Sequence, residues 1–365
     1  MMTPSDPLAS LREQIDQLDH KIVALLNARA RIVVDIGKIK QQSNAPIYAP
    51  DREKIVLERI RNANQSSGGP LPDACLEAIY RELMSGSFAL EKPLRIAYLG
   101  PKGSFSHLAS VKKFGASVDH EPVADIAGVF DEVARGHADM GLVPIENSTI
   151  GGIVESMDAF IEYPHVTIVA EMQIMVHHHL LALCETGEVK KIYSKPEVLN
   201  QCRRWLNATM PEVPRLPVAS SSKAAELAAT ENYAAAIGSS LAAELYMLKT
   251  LFANIEDNPN NVTRFLVIGR QPPRRSGDDK TSIIFTTAHK SGALVDVLDV
   301  FRKHGINLTN IATRPSQKRN FEYYFFTDLV GHSADATVKT ALDEARSHCL
   351  HLAILGSFPR AVETL

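Results

Sequence analysis

Arg29 occupies a position where a long helix should carry a leucine. Apolar residues recur at Leu8, Leu11, Ile15, Leu18, Ile22 and Leu25, and again at Ile32, Ile36 and Ile39. Their alternating steps of three and four are the seam of one amphipathic helix packed on other helices. Position 29 is the next slot in that seam, and a guanidinium there is costly unless an anion meets it. A structural ion pair or a snorkelling stem would satisfy the same requirement. Arg12, Arg29, Lys40 and Arg52 form a wider cationic set. Arg29 and Lys40 lie eleven residues apart, about three turns, and share a face. Arg12 and Arg29 lie seventeen apart, roughly 25 Å along the axis, too far for one small molecule to touch both. An antiparallel dimer could bring one chain's Arg12 to the other's Arg29. Converging cations on helices, with no metal motif, suggest a small dianion.

A second set of polar residues stands where strands end. Pro144-Ile145-Glu146-Asn147-Ser148-Thr149 closes one apolar run, and Ser194 closes another ahead of Gln201-Cys202. Asn261-Val262-Thr263-Arg264 opens a third, and Gly100-Pro101-Lys102-Gly103-Ser104 follows the strand-like Arg95–Leu99. Open α/β sheets bind ligands at such strand ends. The turn at 100–104 lacks the Gly-x-Gly-x-x-Gly of a dinucleotide site. His177-His178-His179 invites a metal reading, but successive strand residues point to opposite faces, so a strand of mixed burial is expected there.

These residues need elements to hold them. The chain has 365 residues, enough for two or three domains. Two linkers divide it, Glu91–Leu94 and the polar, proline-broken Gln271–Asp279, which reads as flexible. The segments are 1–92, 94–270 and 280–360, with no internal repeat. The first reads as three helices, from near Asp6 to near Gln42, about Pro50 to Asn64, and about Pro72 to Leu90. Helices so unequal cannot bury the longest one, so an intertwined helical dimer is expected. The second alternates strands (95–99, 139–144, 166–174, 179–184, 190–194, 234–238) with helices (106–114, 196–206, 239–248), which is open α/β. The third fits βαββαβ, a ferredoxin-like unit, with strands at 281–287, 308–313, 322–330 and 350–355.

Composition excludes several classes. Charged residues make up 22% and the net charge is −3, so no strong field draws the chain to nucleic acid or an anionic membrane. No apolar run reaches membrane-spanning length, and no secretory signal is visible at the start. The four cysteines lie far apart with no Cys-x-x-Cys pair, which argues for a reducing cytoplasm over a disulfide framework or a zinc site.

The helical segment resembles the mutase domain of the bifunctional P-proteins, through Leu11-Arg12-Glu13 to Gly37-Lys38-Ile39-Lys40, Asp51-Arg52-Glu53, Ser87 and Glu91. The resemblance implies rearrangement of chorismate to prephenate. It also implies that Arg12 of the partner subunit, Arg29 and Arg52 grip carboxylates, with Ser87 in support. Lys40 would bond the ether oxygen and Glu53 would hold the hydroxyl. A pericyclic rearrangement needs no nucleophile and no redox cofactor, only a folded substrate and donors where charge builds. Two positions depart from the pattern. Ala49 replaces an aspartate that touches the hydroxyl, and Glu91 stands where many members have glutamine. Only the acid form of Glu91 can donate to the ether oxygen, so mutase activity is expected to fall as pH rises.

Residues 94–270 resemble prephenate dehydratase, through the glycine turn, the Asn147 strand end, Ser194 with Gln201, and Thr263-Arg264-Phe265. The resemblance implies two α/β lobes around a cleft, lobe one being about 94–171 plus 255–270 and lobe two about 172–250. It implies loss of carbon dioxide and a ring hydroxyl from prephenate, giving phenylpyruvate, with Thr263 facing the departing hydroxyl. Asn147, Ser148, Thr149, Ser194 and Gln201 would line the cleft. Arg264 either anchors a carboxylate or is a structural pair partner. The last segment resembles an ACT domain, through Gly292-Ala293-Leu294-Val295 and Thr313-Arg314-Pro315. Those two loops would bind phenylalanine between two such domains and turn the dehydratase down. Ala312 stands where glutamate is usual, which bears on the strength of that response. The reading is a cytoplasmic enzyme of phenylalanine synthesis, a homodimer or higher oligomer, with chorismate and prephenate as substrates and no metal or organic cofactor. Its rivals are a mutase fused to a bilobal small-anion sensor without dehydratase chemistry, and an arogenate-preferring dehydratase.

Overall fold

The computed structural model describes residues 7–43, 46–149, 151–315 and 323–361. The first unit is three helices, α1 (Pro7–Ser43), α2 (Pro50–Ser67) and α3 (Asp73–Glu91). Pro50 presets the first turn of α2, and Gly68 ends it in the left-handed conformation. The carboxyl-terminal half of α1 packs on α3, burying Val33. Its amino-terminal half leaves its apolar seam uncovered among the described residues. Leu11, Ile15, Leu18 and Ile22 are all exposed, and Leu25 is 69% exposed.

The second unit has two lobes. Lobe one contains β1 (Arg95–Leu99), α4 (Phe105–Phe114), β2 (Asp119–Val123), α5 (Ile126–Arg135), β3 (Met140–Asn147), β4 (Gly151–Gly152), α6 (Val154–Glu162) and β5 (Thr167–Met175). Lobe two contains β6 (His179–Ala182), β7 (Lys191–Ser194), α7 (Pro196–Gln201), α8 (Arg203–Thr209), β8 (Arg215–Pro217), α9 (Ser221–Thr230), β9 (Ala234–Gly238), α10 (Ser240–Leu245) and β10 (Lys249–Phe252). The chain then returns to lobe one as β11 (Val262–Gly269). The lobe-one sheet runs β2-β1-β3-β11-β5 with β4 beside β3, and the lobe-two sheet runs β10-β6-β9-β7-β8. Strand β11 is antiparallel to both β3 and β5, so the returning chain lies in the middle of the first sheet.

Four helices of this unit begin on side-chain caps: Ser104, Asp125, Ser220 and Ser239 each accept the backbone N–H three residues on. The sequence pattern overlooked β2, α5, α6 and α9, although Asp125 and Gly136 bracket α5 as cap and stop. It read 196–206 as one helix; the structure breaks it at Cys202, where α7 ends and α8 begins. His177 and His178 precede β6 instead of lying within a strand.

The third unit is β12 (Asp279–Thr286), α11 (Ala293–Lys303), β13 (Leu308–Pro315), β14 (Tyr323–Val330), α12 (Ala336–Arg346) and β15 (His351–Pro359). Its antiparallel sheet runs β13-β14-β12-β15, the ferredoxin-like order. It is docked on lobe one. A Cβ at Gly356 would stand 2.3 Å from the Ile168 carbonyl oxygen, so only glycine lets β15 lie this close to β5. The second linker is no free tether. Asp278 pairs with Lys54 of α2 at 2.8 Å, and buried Asp279 accepts from Ser276 and Gly277.

Candidate active sites

The first site is a pocket of about 230 Å³ among the three helices, lined by Arg29, Lys40, Arg52, Glu53, Ser87 and Glu91 around Val33, Ile36, Val56, Met84 and Phe88. Six of the seven expected mutase residues therefore meet in one place. Arg29 donates to Ser87 Oγ at 2.7 Å, and Ser87 in turn donates to the Leu83 carbonyl at 2.6 Å. Lys40 donates to Glu91 at 2.7 Å and to the Ile47 carbonyl at 3.1 Å. The seventh residue, Arg12, lies on the bare half of α1 and does not line this pocket. Ala49 does line it, presenting a methyl group where the resemblance implies a carboxylate.

Glu91 is met by an ammonium, so Lys40–Glu91 is an ion pair, its carboxylate side chain only 8% exposed. In this geometry position 91 accepts from Lys40; only its acid form would donate to the ether oxygen. Two groups escaped the sequence reading. Tyr48 donates to Glu53 Oε2 at 3.0 Å, and Lys113, sixty residues on and in the next unit, reaches the same oxygen at 3.0 Å. No local pattern could have paired Lys113 with Glu53 across that separation.

The second site stands where β3 ends beside the start of β11. The register sets Thr263 opposite Asn147. Asn147 Nδ2 donates to Thr263 Oγ1 and to Asn261 Oδ1, both at 2.8 Å. The Thr149 N–H reaches the other end of the same amide at 2.9 Å. A backbone N–H can only donate, so that end is the carbonyl and the NH2 faces Thr263. Thr263 Oγ1 thus accepts from Asn147 and keeps its own proton to give. Ser148 locks the two strand ends, accepting from Val262 N at 2.9 Å and donating to the Asn260 carbonyl at 3.1 Å.

Ser194 and Gln201 belong to lobe two. Ser194 is fully buried and donates to the Ile237 carbonyl at 2.8 Å. Gln201 Oε1 meets His178 Nε2 at 2.7 Å, and Phe105 of lobe one stands edge-on to that imidazole. Burial holds the His178 pKa below its ordinary value. No hydrogen bond joins this pair to the Thr263 cluster among the described residues. The lobes meet at the glycine turn, where Ser239 of lobe two donates to the Gly103 carbonyl at 2.9 Å and His107 Nδ1 accepts from Gly103 N at 3.1 Å. His177 pairs with Glu256, so adjacent histidines take separate partners.

Arg264 does not face the Thr263 cluster. Neighbours on a strand point to opposite faces, and Arg264 points at the third unit. Its guanidinium sits 2.7 Å from Glu171 of β5 and 2.5 Å from Asp328 of β14. Burial opposes its charge, but Asp328 and then Glu171 outweigh that and raise its pKa further. Of the two expectations for Arg264, the structural pair is the one the geometry shows.

The third unit presents Gly292 as a left-handed cap of α11, with Ala293 buried, Leu294 half-buried and Val295 exposed. Thr313, Arg314 and Pro315 end β13, the open edge of the sheet. Arg314 is turned to lobe one and forms a two-pronged pair with Asp158 at 2.8 Å. Ala312 shares that inward face and lines a cavity of about 200 Å³ between the sheets.

Comparison with known proteins covers all three units. Residues 11–92 match the family model for chorismate mutase type II, 96–273 that for prephenate dehydratase, and 281–347 that for the ACT domain. The chain is 43% identical to the bifunctional chorismate mutase/prephenate dehydratase of Stutzerimonas stutzeri, over 99% of this chain and 100% of the relative. It is 42% identical to that of Aquifex aeolicus, over 98% and 99%. The Arthrobacter aurescens prephenate dehydratase, solved in complex with L-Phe, superposes with a TM-score of 0.68 at 32% identity, over 73% of this chain and 90% of that one. With both pockets assembled from one chain and relatives matched end to end, the chain belongs to the bifunctional chorismate mutase/prephenate dehydratase family, an isomerase and a lyase on one polypeptide.

Proposed function

We propose that the helical pocket folds chorismate into its reactive conformation with Arg29 and Arg52 on the carboxylates and Ser87 bracing Arg29. Lys40 bonds the ether oxygen as it departs, where charge develops. Glu53 takes the hydroxyl, a task it performs without the aspartate that Ala49 replaces. Arg12 of the partner subunit completes the grip, and the bare seam of α1 is the surface that brings it there. The observation that carries this reading is the convergence of Arg29, Lys40, Arg52, Glu53, Ser87 and Glu91 on one pocket.

Prephenate then reacts at the Thr263 cluster. The Asn147 amide fixes the direction of the Thr263 hydroxyl, leaving its proton for the departing ring hydroxyl. A threonine is a weak acid, so its contribution is position, with aromatisation providing the drive. Thr149 and Ser148 hold Asn147 and the strand ends in place. Ser194 and Gln201 build the lobe-two wall, and Arg264 ties the floor of the site to the third unit.

The ACT unit senses phenylalanine, a reading supported by the L-Phe complex of the Arthrobacter dehydratase. Gly292–Val295 and Thr313–Pro315 form its recognition edge, with β13 free to meet a second copy. Inhibition follows if the ligand prefers the less active arrangement of the oligomer. The setting is the cytoplasmic synthesis of phenylalanine, in keeping with four free cysteines. No described helix is long and apolar enough to cross a membrane.

The test is phenylpyruvate formation from chorismate alone, followed with and without added phenylalanine. Thr263→Ala should cut dehydratase turnover at least about a hundredfold, the scale of a lost acid–base or oxyanion contact, and leave prephenate formation intact. Equal loss of both activities removes Thr263 from the site.

A further inference from the structure

The mutase pocket is lined by residues between 29 and 91, but one of them, Glu53, is held from outside the helical unit. Glu53 lies on α2 with its side chain 12% exposed, and Lys113 lies on α4 of lobe one with its side chain 14% exposed. The Lys113 ammonium and the Tyr48 hydroxyl converge on the same oxygen, Oε2, each at 3.0 Å. Oε1 has no hydrogen-bond partner among the described residues. Tyr48 is itself anchored in lobe one, packed edge-on against Phe114 at 5.2 Å and buried in the cluster that holds Ile96 and Tyr98. Burial, then the Glu53 charge, pushes the Tyr48 phenol well above its ordinary pKa, so it remains a donor.

The backbone around Lys113 is clamped to the mutase helices. Gly115 follows it at φ +75°, and a Cβ there would stand 2.5 Å from Ser85 Cβ on α3. Ala116 N and Ser117 Oγ both donate to Glu82, and Ser117 N donates to Ser85 Oγ at 3.0 Å. The lysine therefore reaches Glu53 from a fixed point. The charge balance explains why it is needed. Arg29, Arg52 and Lys40 surround the pocket, with Glu91 claimed by Lys40. A Glu53 carboxylate released from Lys113 would turn toward those cations, which are the groups the substrate carboxylates must find free.

We propose that Lys113, a residue of the dehydratase domain, is a positioning residue of the mutase reaction: with Tyr48 it pins one oxygen of Glu53 so that the other faces the chorismate hydroxyl. The inference rests on the reading of Glu53 given above and adds that one catalytic domain holds in place a residue of the other's pocket. The two activities are then joined by structure as well as by sequence.

The experiment uses the full chain and measures each activity with its own substrate. Lys113→Met should raise the chorismate KM about tenfold, the loss of roughly one charge-assisted hydrogen bond. The mutase kcat should change far less, and dehydratase kinetics on supplied prephenate should stay at the wild-type level. Lys113→Arg should restore the chorismate KM, because the cation is restored. Glu53→Gln separates the possible failures. If Glu53→Gln raises the chorismate KM and Lys113→Met does not, the carboxylate is held without the lysine and the proposal is overturned. If neither variant changes mutase kinetics, the reading of Glu53 falls and takes the proposal with it. If Lys113→Met lowers both activities together with thermal stability, the lysine is only an interdomain brace and the proposal is again refuted.

Discussion

Replacing Arg264 with methionine separates two roles that look identical in a linear motif. In the structure its guanidinium bridges Glu171, whose side chain is 1% exposed, and Asp328, 9% exposed. Removing the cation leaves two buried carboxylates short of a partner, a loss typically of about 3–5 kcal/mol. Neither is left wholly alone. Lys280 remains 3.1 Å from Glu171, and Ser282 still donates to Asp328. The lower end, about 3 kcal/mol, is therefore expected, which for a unit of this size corresponds to a fall in Tm of roughly 6–12 °C. The prephenate KM should move less than about twofold, because the group lost lies on the far face of the sheet from Thr263. Thermal unfolding and dehydratase kinetics on the same preparation decide the matter. Adding Asp328→Asn should recover part of the lost stability, giving a double-mutant coupling of about 1–3 kcal/mol for groups in direct contact. An unchanged Tm with a tenfold rise in prephenate KM would refute the argument and return Arg264 to the cleft as a carboxylate anchor.

Three further outcomes are expected. Leu25→Asp should convert the proposed dimer to monomer by light scattering and abolish mutase activity while sparing the dehydratase. A leucine is worth about 1.5–3 kcal/mol when buried, and a twofold interface would count it twice; a dimeric, fully active variant refutes the seam. Glu91→Gln should flatten the decline of mutase activity with rising pH, since an amide donates at every pH; identical wild-type and variant profiles remove the donor role. His107 concerns stability. Burial, then the charges of His120 and Lys102, lowers its pKa to about 4, against about 6.5 unfolded. The unfolded chain therefore binds the proton first, and the stability contributed by neutral His107 is complete above about pH 6.5 and lost as pH falls toward 4. Protonation also ends its acceptance of the Gly103 N–H. His107→Gln should reduce the acid slope of the urea midpoint, and an unaltered slope would exclude His107 as its source.

Most elements could be read from local pattern because local pattern makes them. The three mutase helices begin and end within a few residues of expectation, since Pro50, Gly68 and the three-four spacing act over one or two turns. The βαββαβ order of the third unit was readable for the same reason. Elements of weak period were not: β2 reads Asp-His-Glu-Pro-Val, a run with no alternation, and it is a strand because β1 offers it a parallel partner. The break at Cys202 was likewise invisible, being set where Asp257 caps the start of α8.

The site shows the same division. Residue types and helical spacing sufficed to nominate Arg29, Lys40 and Arg52, because a cation in an apolar seam carries its own physical cost, whereas Glu53, Ser87 and Glu91 were named from the resemblance alone. Thr263 and Asn147 were named from motif, but the orientation of the hydroxyl comes from a cross-strand register that a one-dimensional string does not contain. The side of the sheet that Arg264 takes, the arrival of Lys113 at Glu53, and the anchoring of Asp278 by Lys54 all join residues 60 or more positions apart. Local propensity acts within a few residues, whereas such pairs form only when chain closure and packing bring distant segments together, and that is why folding in three dimensions had to settle them.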